Sequence, residues 1–325
     1  MEHLFHETFR FSSEMLEALE RDGHVVLPGV CTAAAVDALT ASMQRIQKLG
    51  EDFKVTDPDA LKIMQGLQHK DASAEEKQRT MAAFQRLFHE RGADSGLVGP
   101  GSLCAECDGT IASVISHPQL LDLVGRALSC DGRRDASHLY FDHCVSLNRL
   151  PETEWAQGGM GTHSHAYADG YTRDLRSRVD EDTPDEALIR VFFYITGFTK
   201  GDGSLKVIPG SHLWRDPNLG KSLRDWREAG MTSYRGVKLD EIELECPPGS
   251  VILMHTHAAH GVLPKLPTSA PRWAFVAAYR TGESWSPSRV ITSDFAKKPG
   301  PGALTAQMKR QGRKPMPLEN ARPRL

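Results

Sequence analysis

Several kinds of residue and segment are scarce in this chain, and each scarcity excludes a class of protein. Its six cysteines, at positions 31, 104, 107, 130, 144 and 246 of 325, are few and irregularly placed. That pattern argues for reduced thiols and against a disulfide framework. Cys104 and Cys107 form a lone CxxC, whereas a structural zinc site calls for a second pair. No apolar run approaches the roughly 20 residues of a membrane span. The opening MEHLFHETFRFSSEM lacks the basic-then-apolar plan of a signal peptide. Neither sign of charge dominates: 39 Lys and Arg against 42 Asp and Glu leave a formal charge of -3. Nothing in that balance favours nucleic acid or an anionic membrane as partner. The expectation is a cytoplasmic protein without either partner, and the sequence leaves its oligomeric state open.

Hydrophobic residues make up 40% of the chain and charged residues 25%, enough for a full core. The expected organisation is one domain over residues 1–294, with a mainly helical front (1–130) and a strand-rich core (138–280). A basic, Pro- and Gly-rich tail (295–325) follows, read as solvated or surface-packed. In the front, Ser12 and Ser13 can cap a helix carrying Met15, Leu16 and Leu19 that ends at Asp22-Gly23. Residues 24–27 read as a strand stopped by Pro28-Gly29, and Thr32 caps an alanine-rich helix. Ser73 and Glu76 have capping-box spacing, before a helix with Met81, Phe84, Leu87 and Phe88 on one side.

From His138 the rhythm is that of strands, at 139–147, 188–196, 241–245, 251–255 and 273–279. Turns rich in Gly and Pro separate them, with no regularly interleaved helices, so the pattern predicts antiparallel pairing in a sandwich or jelly roll. Gly201-Asp202-Gly203 reads as a tight turn, wrongly placed for a phosphate loop.

Two histidine groups carry the chemistry. In GTHSHAYADGY, residues 161–171, His163 and His165 are one residue apart, and an x-spaced pair at a strand end can turn both rings to one point. In HTHAAH, residues 255–260, His255 and His257 would share a strand face, while His260 is freer to bend toward a site. An oxygen-activating mononuclear iron centre needs three protein ligands on one side and open positions opposite. An x-spaced pair plus one distant histidine supplies that set. Arg272, on the final strand, can hold a dicarboxylate through a bidentate pair.

With these segments the chain resembles the phytanoyl-CoA dioxygenase family of iron(II)- and 2-oxoglutarate-dependent oxygenases, from about Leu16 to Tyr279. LERDGHVVLPGV near the N-terminus, residues 158–165, GDGSLKVIPGSH ending at His212, PPGSVILMHTHAAHG ending at Gly261, and Arg272 carry the resemblance. It implies an all-β core with flanking helices, a double-stranded β-helix (jelly roll, cupin-like). It implies Fe(2+) as metal and 2-oxoglutarate as cosubstrate, with succinate and CO2 formed as a small organic substrate is hydroxylated. By the family pattern His163 is the first iron ligand, His260 the distal histidine, and Arg272 the anchor of the 2-oxoglutarate C5 carboxylate. His212 and His255 then become supporting or structural residues.

One position departs from the pattern. The family motif is His-x-Asp or His-x-Glu, and here the third residue is His165. Either His163, His165 and His260 form an all-histidine site, or the register shifts and Asp169 or another acid supplies the oxygen ligand, or the metal is lost and the fold only binds a ligand. A three-histidine dioxygenase that does not use 2-oxoglutarate is a further alternative. Replacing the carboxylate by neutral imidazole raises the charge of the ferrous centre by one. For substrate contacts, Arg190 interrupts an apolar strand and shares a face with Phe192 and Tyr194. That face is either cavity or an outer sheet surface. Tyr167 follows the histidine pair in a polar stretch running to Pro184, of a length that suits a lid.

Overall fold

The computed structural model describes residues 1–56, 58–67, 108–115, 117–128, 139–164, 188–214 and 219–281, together with Ser73, Glu76, Arg79, Thr80, Ala83 and Asp216. The CxxC, the helix face of Met81, Phe84, Leu87 and Phe88, the stretch carrying His165, Tyr167 and Asp169, and the basic tail lie outside these residues.

The helical front forms where the capping signals lie. Helix α1 (Ser13–Asp22) starts at Ser12, whose hydroxyl accepts the Met15 N–H at 3.4 Å. It stops at Gly23, which turns left-handed (φ 75°) and donates its N–H to the Leu19 carbonyl at 2.9 Å. Strand β1 (His24–Leu27) follows directly. Thr32 Oγ1 accepts from Ala35 N at 3.2 Å and opens α2 (Ala33–Thr56). After α3 (Pro58–Leu67), the Ser73–Glu76 box closes reciprocally: Ser73 N donates to Glu76 Oε2 at 2.7 Å and Glu76 N to Ser73 Oγ at 3.2 Å. Helices α4 (Gly109–Ile115) and α5 (Pro118–Leu128) complete the described part of the front.

The strands form two antiparallel sheets, as the turn-punctuated pattern predicted. After β2 (Leu139–Ser146) come a short helix α6 (Glu154–Gly158), β3 (Met160–His163), β4 (Leu188–Tyr194) and β5 (Leu205–Val207). Helix α7 (Leu219–Glu228), a two-residue ribbon of β6 (Ser233–Tyr234) and β7 (Val237–Lys238), then β8 (Ile242–Glu243), β9 (Ser250–His255), β10 (His260–Val262) and β11 (Ala274–Thr281) follow. The larger sheet runs β1-β9-β4-β11-β2, and the smaller β3-β10-β5-β8. Among the described residues the two sheets do not close into a barrel.

Strands β4, β9 and β11 are buried on both faces, which is why they read as nearly continuous apolar runs. Successive side chains point to opposite faces. Ile189, Val191, Phe193, Val251, Leu253, Phe275, Ala277 and Tyr279 therefore pack with Leu19, Leu39, Ile111, Leu120 and Val124 of the helices. The alternate residues Phe192, Tyr194, Ile252, Met254, Ala274 and Val276 face Leu205, Val207 and Val262 of the smaller sheet. Tyr279 ties the helical side down by donating its hydroxyl to the Ile115 carbonyl at 2.5 Å.

Two glycines make the layers fit. A Cβ at Gly23 would lie 2.8 Å from Cγ of His212, so the Asp22-Gly23 turn of α1 and the PGSH segment need each other's space. Gly210 of that segment donates its N–H to the Asp22 carbonyl at 2.9 Å. Gly197 turns the chain out of β4 at φ 68°, where a Cβ would overlap the Cys246 carbonyl and lie 2.7 Å from the Pro247 carbonyl carbon. Since backbone offers no room to yield and the left-handed conformation penalises a Cβ, Gly197→Ala should cost roughly 2–4 kcal/mol. Urea unfolding of the variant beside the parent checks the value.

Candidate active site

The site lies between the sheets, and cross-strand pairing assembles it. His163 ends β3 and His260 begins β10, and the two are direct partners in the antiparallel register. Their rings stand 4.6 Å apart, centroid to centroid, at 49°. Each ring nitrogen Nδ1 lies against the carbonyl two residues back, His163 to Gly161 at 2.8 Å and His260 to Ala258 at 2.9 Å. A carbonyl oxygen can only accept, so Nδ1 carries the proton in both rings and Nε2 presents the lone pair. Backbone thus selects the tautomer in which imidazole ligates a metal, a common support of metal-binding histidines.

The residues around the pair follow from alternation along β4. Phe192 packs edge-on against His260, with ring centroids 6.3 Å apart. Tyr194, two residues on, stacks with Phe192 and lies under the Arg272 guanidinium, 5.4 Å from its ring centroid. Phe198 forms the other aromatic wall at 5.9 Å. The histidine pair and Arg272 thus meet β4 at side chains two residues apart, Phe192 and Tyr194. Arg272 is buried, and it donates through one terminal nitrogen to the Gly203 carbonyl, while its Nε is buried without a hydrogen-bond partner. Burial lowers the pKa of its guanidinium, and an arginine remains charged at neutral pH even so. A buried cation with unused donors is a receptor for a carboxylate.

In the other direction along β4, Arg190 shares the inner face with Phe192 and Tyr194 and is buried. Its Nε donates to Thr256 Oγ1 at 3.4 Å. Of the two faces the alternation left open for Arg190, the structure has the one between the sheets.

The remaining histidines of the second group separate. Strand β9 ends at His255, so His257 sits in the following turn and does not share a strand face with it. His255 stacks on His212, 5.2 Å between centroids and 10° between planes. This pair packs where α1, β1 and β9 meet, with His255 N bonded to the Gly23 carbonyl at 2.9 Å. His165, Tyr167 and Asp169 lie outside the described residues, and among the described ones no cluster of three or more His, Cys, Asp or Glu could hold a metal. Of the three expected ligands, His163 and His260 are therefore the ones the described residues contain.

Sequence reasoning missed Arg149. It forms an isolated antiparallel bridge with Arg272, each N–H donating to the other's carbonyl at 2.9 Å, and its side chain is buried. No signal in NRLP, just past a strand, marked it as interior, since arginine is seldom fully buried unless it is paired.

Between two antiparallel sheets, the structure thus brings together a histidine pair and a buried arginine. Residues 19–267, most of the chain, match the phytanoyl-CoA dioxygenase (PhyH) family. The chain belongs to that family, and it is a non-haem iron, 2-oxoglutarate-dependent enzyme. No curated protein matches its sequence. Solved structures share the fold at low identity. The non-heme alpha ketoglutarate dependent epimerase SnoN from nogalamycin biosynthesis is 15% identical, with 82% of each chain covered and a TM-score of 0.50. HygX from Streptomyces hygroscopicus, crystallised with nickel and 2-oxoglutarate, is 16% identical, covering 84% of this chain and 88% of its own at 0.50. AviO1 from Streptomyces viridochromogenes Tue57 is 13% identical, covering 86% and 99% at 0.50. Among the described residues no helix is long and apolar enough to cross a membrane.

The donor set fits the iron and 2-oxoglutarate this family uses: two imidazoles with the tautomer set for ligation, and an arginine whose Nε is unsatisfied. Loss of a ligand costs more than loss of a supporting residue, which is worth about 10–100-fold in metal affinity. His163→Ala and His260→Ala should each weaken Ni2+ binding more than about 100-fold, and His255→Ala less than about 10-fold, in calorimetric titrations. Because ligating imidazole is neutral, affinity in the parent should fall on acidification through about pH 6–7.

Proposed function

We propose that the protein hydroxylates, or otherwise oxidises at a C–H bond, a small organic substrate, with 2-oxoglutarate converted to succinate and CO2. The observation that carries this reading is the order of side chains along the inner face of β4. Arg190, Phe192 and Tyr194 succeed one another there, with Phe192 against His260 and Tyr194 against Arg272. That order supports a reading with the substrate toward Arg190, the metal at the histidine pair and the cosubstrate toward Arg272.

His163 and His260 would hold the iron, with His165 as third ligand or Asp169 in its place. When bound, the metal supplies oxygen activation coupled to decarboxylation of the cosubstrate. Arg272 would hold the distal carboxylate of 2-oxoglutarate through its buried guanidinium. Tyr194 and Phe198 cover the guanidinium and keep water from competing for it. Burial pushes the Tyr194 phenol up to about 12, so it stays neutral and can donate toward the same carboxylate. Phe192 occupies one side of the metal position and limits how a substrate can approach. Arg190 and Tyr167 are the side chains assigned to substrate contact. Tyr194 shares the inner face with Arg190 and is assigned to substrate contact as well, from beside the Arg272 guanidinium.

Adding ferrous iron and 2-oxoglutarate without oxygen should give a visible charge-transfer band, and admitting oxygen should give succinate. No band together with no succinate would sink the reading. For the third ligand, His165→Ala should lose the band while Asp169→Ala keeps it, and the reverse result assigns Asp169. His165→Asp, which restores the usual family carboxylate, should retain the band.

A further inference from the structure

His163 ends a strand that has little of its own to hold it. Among the described residues β3 lies at an edge of the smaller sheet, paired with β10. Its register with β10 rests on two positions, His163 opposite His260 and Met160 opposite Val262. Between those positions β10 advances by two residues and β3 by three, so β3 carries an extra residue just before the histidine. A bulge of this kind re-aims the side chain beside it. If it moved along the strand by one residue, His163 would turn to the opposite face and leave His260.

The bulge is seated on Gly261. A Cβ there would lie 2.9 Å from the Met160 carbonyl oxygen and 3.2 Å from the Gly161 carbonyl carbon, so glycine lets β3 approach this closely. The same Cβ would lie 2.8 Å from Lys206 Cε, because Lys206, the β5 partner of Gly261, runs its stem past the glycine. Lys206 Nζ then donates to Glu241 Oε2 at 2.8 Å. Glu241 Oε1 accepts from the Thr162 hydroxyl, and Arg227 Nη2 of α7 stands 3.6 Å from that oxygen. One carboxylate thus joins the bulged strand to β5 and α7, on either side of the strand that carries His260. Burial acts to raise the Glu241 carboxyl, but the hydrogen bonds from Lys206 and Thr162 outweigh it and hold the pKa below the usual carboxylate range. Bonds to an ionised acceptor are the stronger kind.

We infer that Glu241 is a positioning residue for the first metal ligand: through Thr162 it fixes the β3 bulge, and with it the direction of the His163 imidazole. This rests on the reading of His163 and His260 as ligands. The Gly161 carbonyl that accepts from His163 Nδ1 belongs to the same bulge, so the tie also steadies the group that selects the ligating tautomer. Glu243, two residues further on in β8, provides the contrast. It accepts from Gly201 N and Ser204 Oγ, neither of them on β3.

Calorimetric titration of the full chain with Ni2+ tests this. Glu241→Ala and Thr162→Val should each weaken binding about 10–100-fold, the range for residues that orient ligands. Because the two act through one bond, the double variant should bind within about 3-fold of the weaker single variant. Thr162→Ser, which restores the hydroxyl, should bind within about 3-fold of the parent. Thr162→Val and its rescue carry the test if Glu241→Ala does not fold. Glu243→Ala, which removes a comparable acceptor from the same sheet, should leave Ni2+ binding within about 3-fold. Equal losses in Glu241→Ala and Glu243→Ala, or additive losses in the double variant, would show a general loosening of the sheet and overturn the proposal. So would unchanged Ni2+ affinity in Glu241→Ala and Thr162→Val while His163→Ala loses it, a result that leaves the metal reading standing. If the parent binds no Ni2+, the two readings fall together.

Discussion

The alternation of side chains along β4, β9 and β11, with both faces of the sheet buried, is the constraint on which the rest depends. One set of residues is committed to the helices, where Val191, Phe193, Leu253, Phe275 and Tyr279 meet α1, α2, α4 and α5. The intervening set has no choice but to face the smaller sheet. A one-residue slip would exchange the two sets, so the packing of the helical side holds Arg190, Phe192 and Tyr194 in register with the histidine pair. The site is therefore placed by apolar burial on its far side. Its own polar contacts only refine it.

Arg149, Arg190 and Arg272 are all buried. Arg149 and Arg272 are opposite residues of a backbone bridge, and Asp202, whose charge acts on Arg272, accepts from Lys265, Leu266 and Ser269. Burying cations in this way works against folding stability. The histidines show the complementary device: backbone carbonyls two residues back orient each ring, so no further side chain is needed to set the tautomer.

Much of this was legible from local signals. Ser12, Thr32, Ser73 with Glu76, and Gly23 act over one turn of chain, and each caps the helix boundary its spacing indicated. The long strands announced themselves through β-branched and aromatic runs. Strands β3, β5 and β10 did not, because three or four residues are too few to display alternation, yet they carry His163 and His260. Helix α7 was also missed; its charged face outweighs the two buried leucines, Leu219 and Leu223. Within HTHAAH, periodicity grouped His255 with His257, but β9 stops at His255, and the turn that follows delivers His260 to the site instead.

By itself the sequence determined the antiparallel, helix-flanked class of fold and the residue types of the site, because caps, turns, strand runs and the order of histidines and arginine are written in short segments. Only the tertiary structure decided which of those residues meet. The register of β10 on β3 pairs His260 with His163, the PGSH segment takes His212 to His255, and a single bridge brings Arg149 beside Arg272. Each of these contacts joins residues far apart along the chain. Such a contact is set by the burial of whole sheets, and no property of either residue alone foretells it.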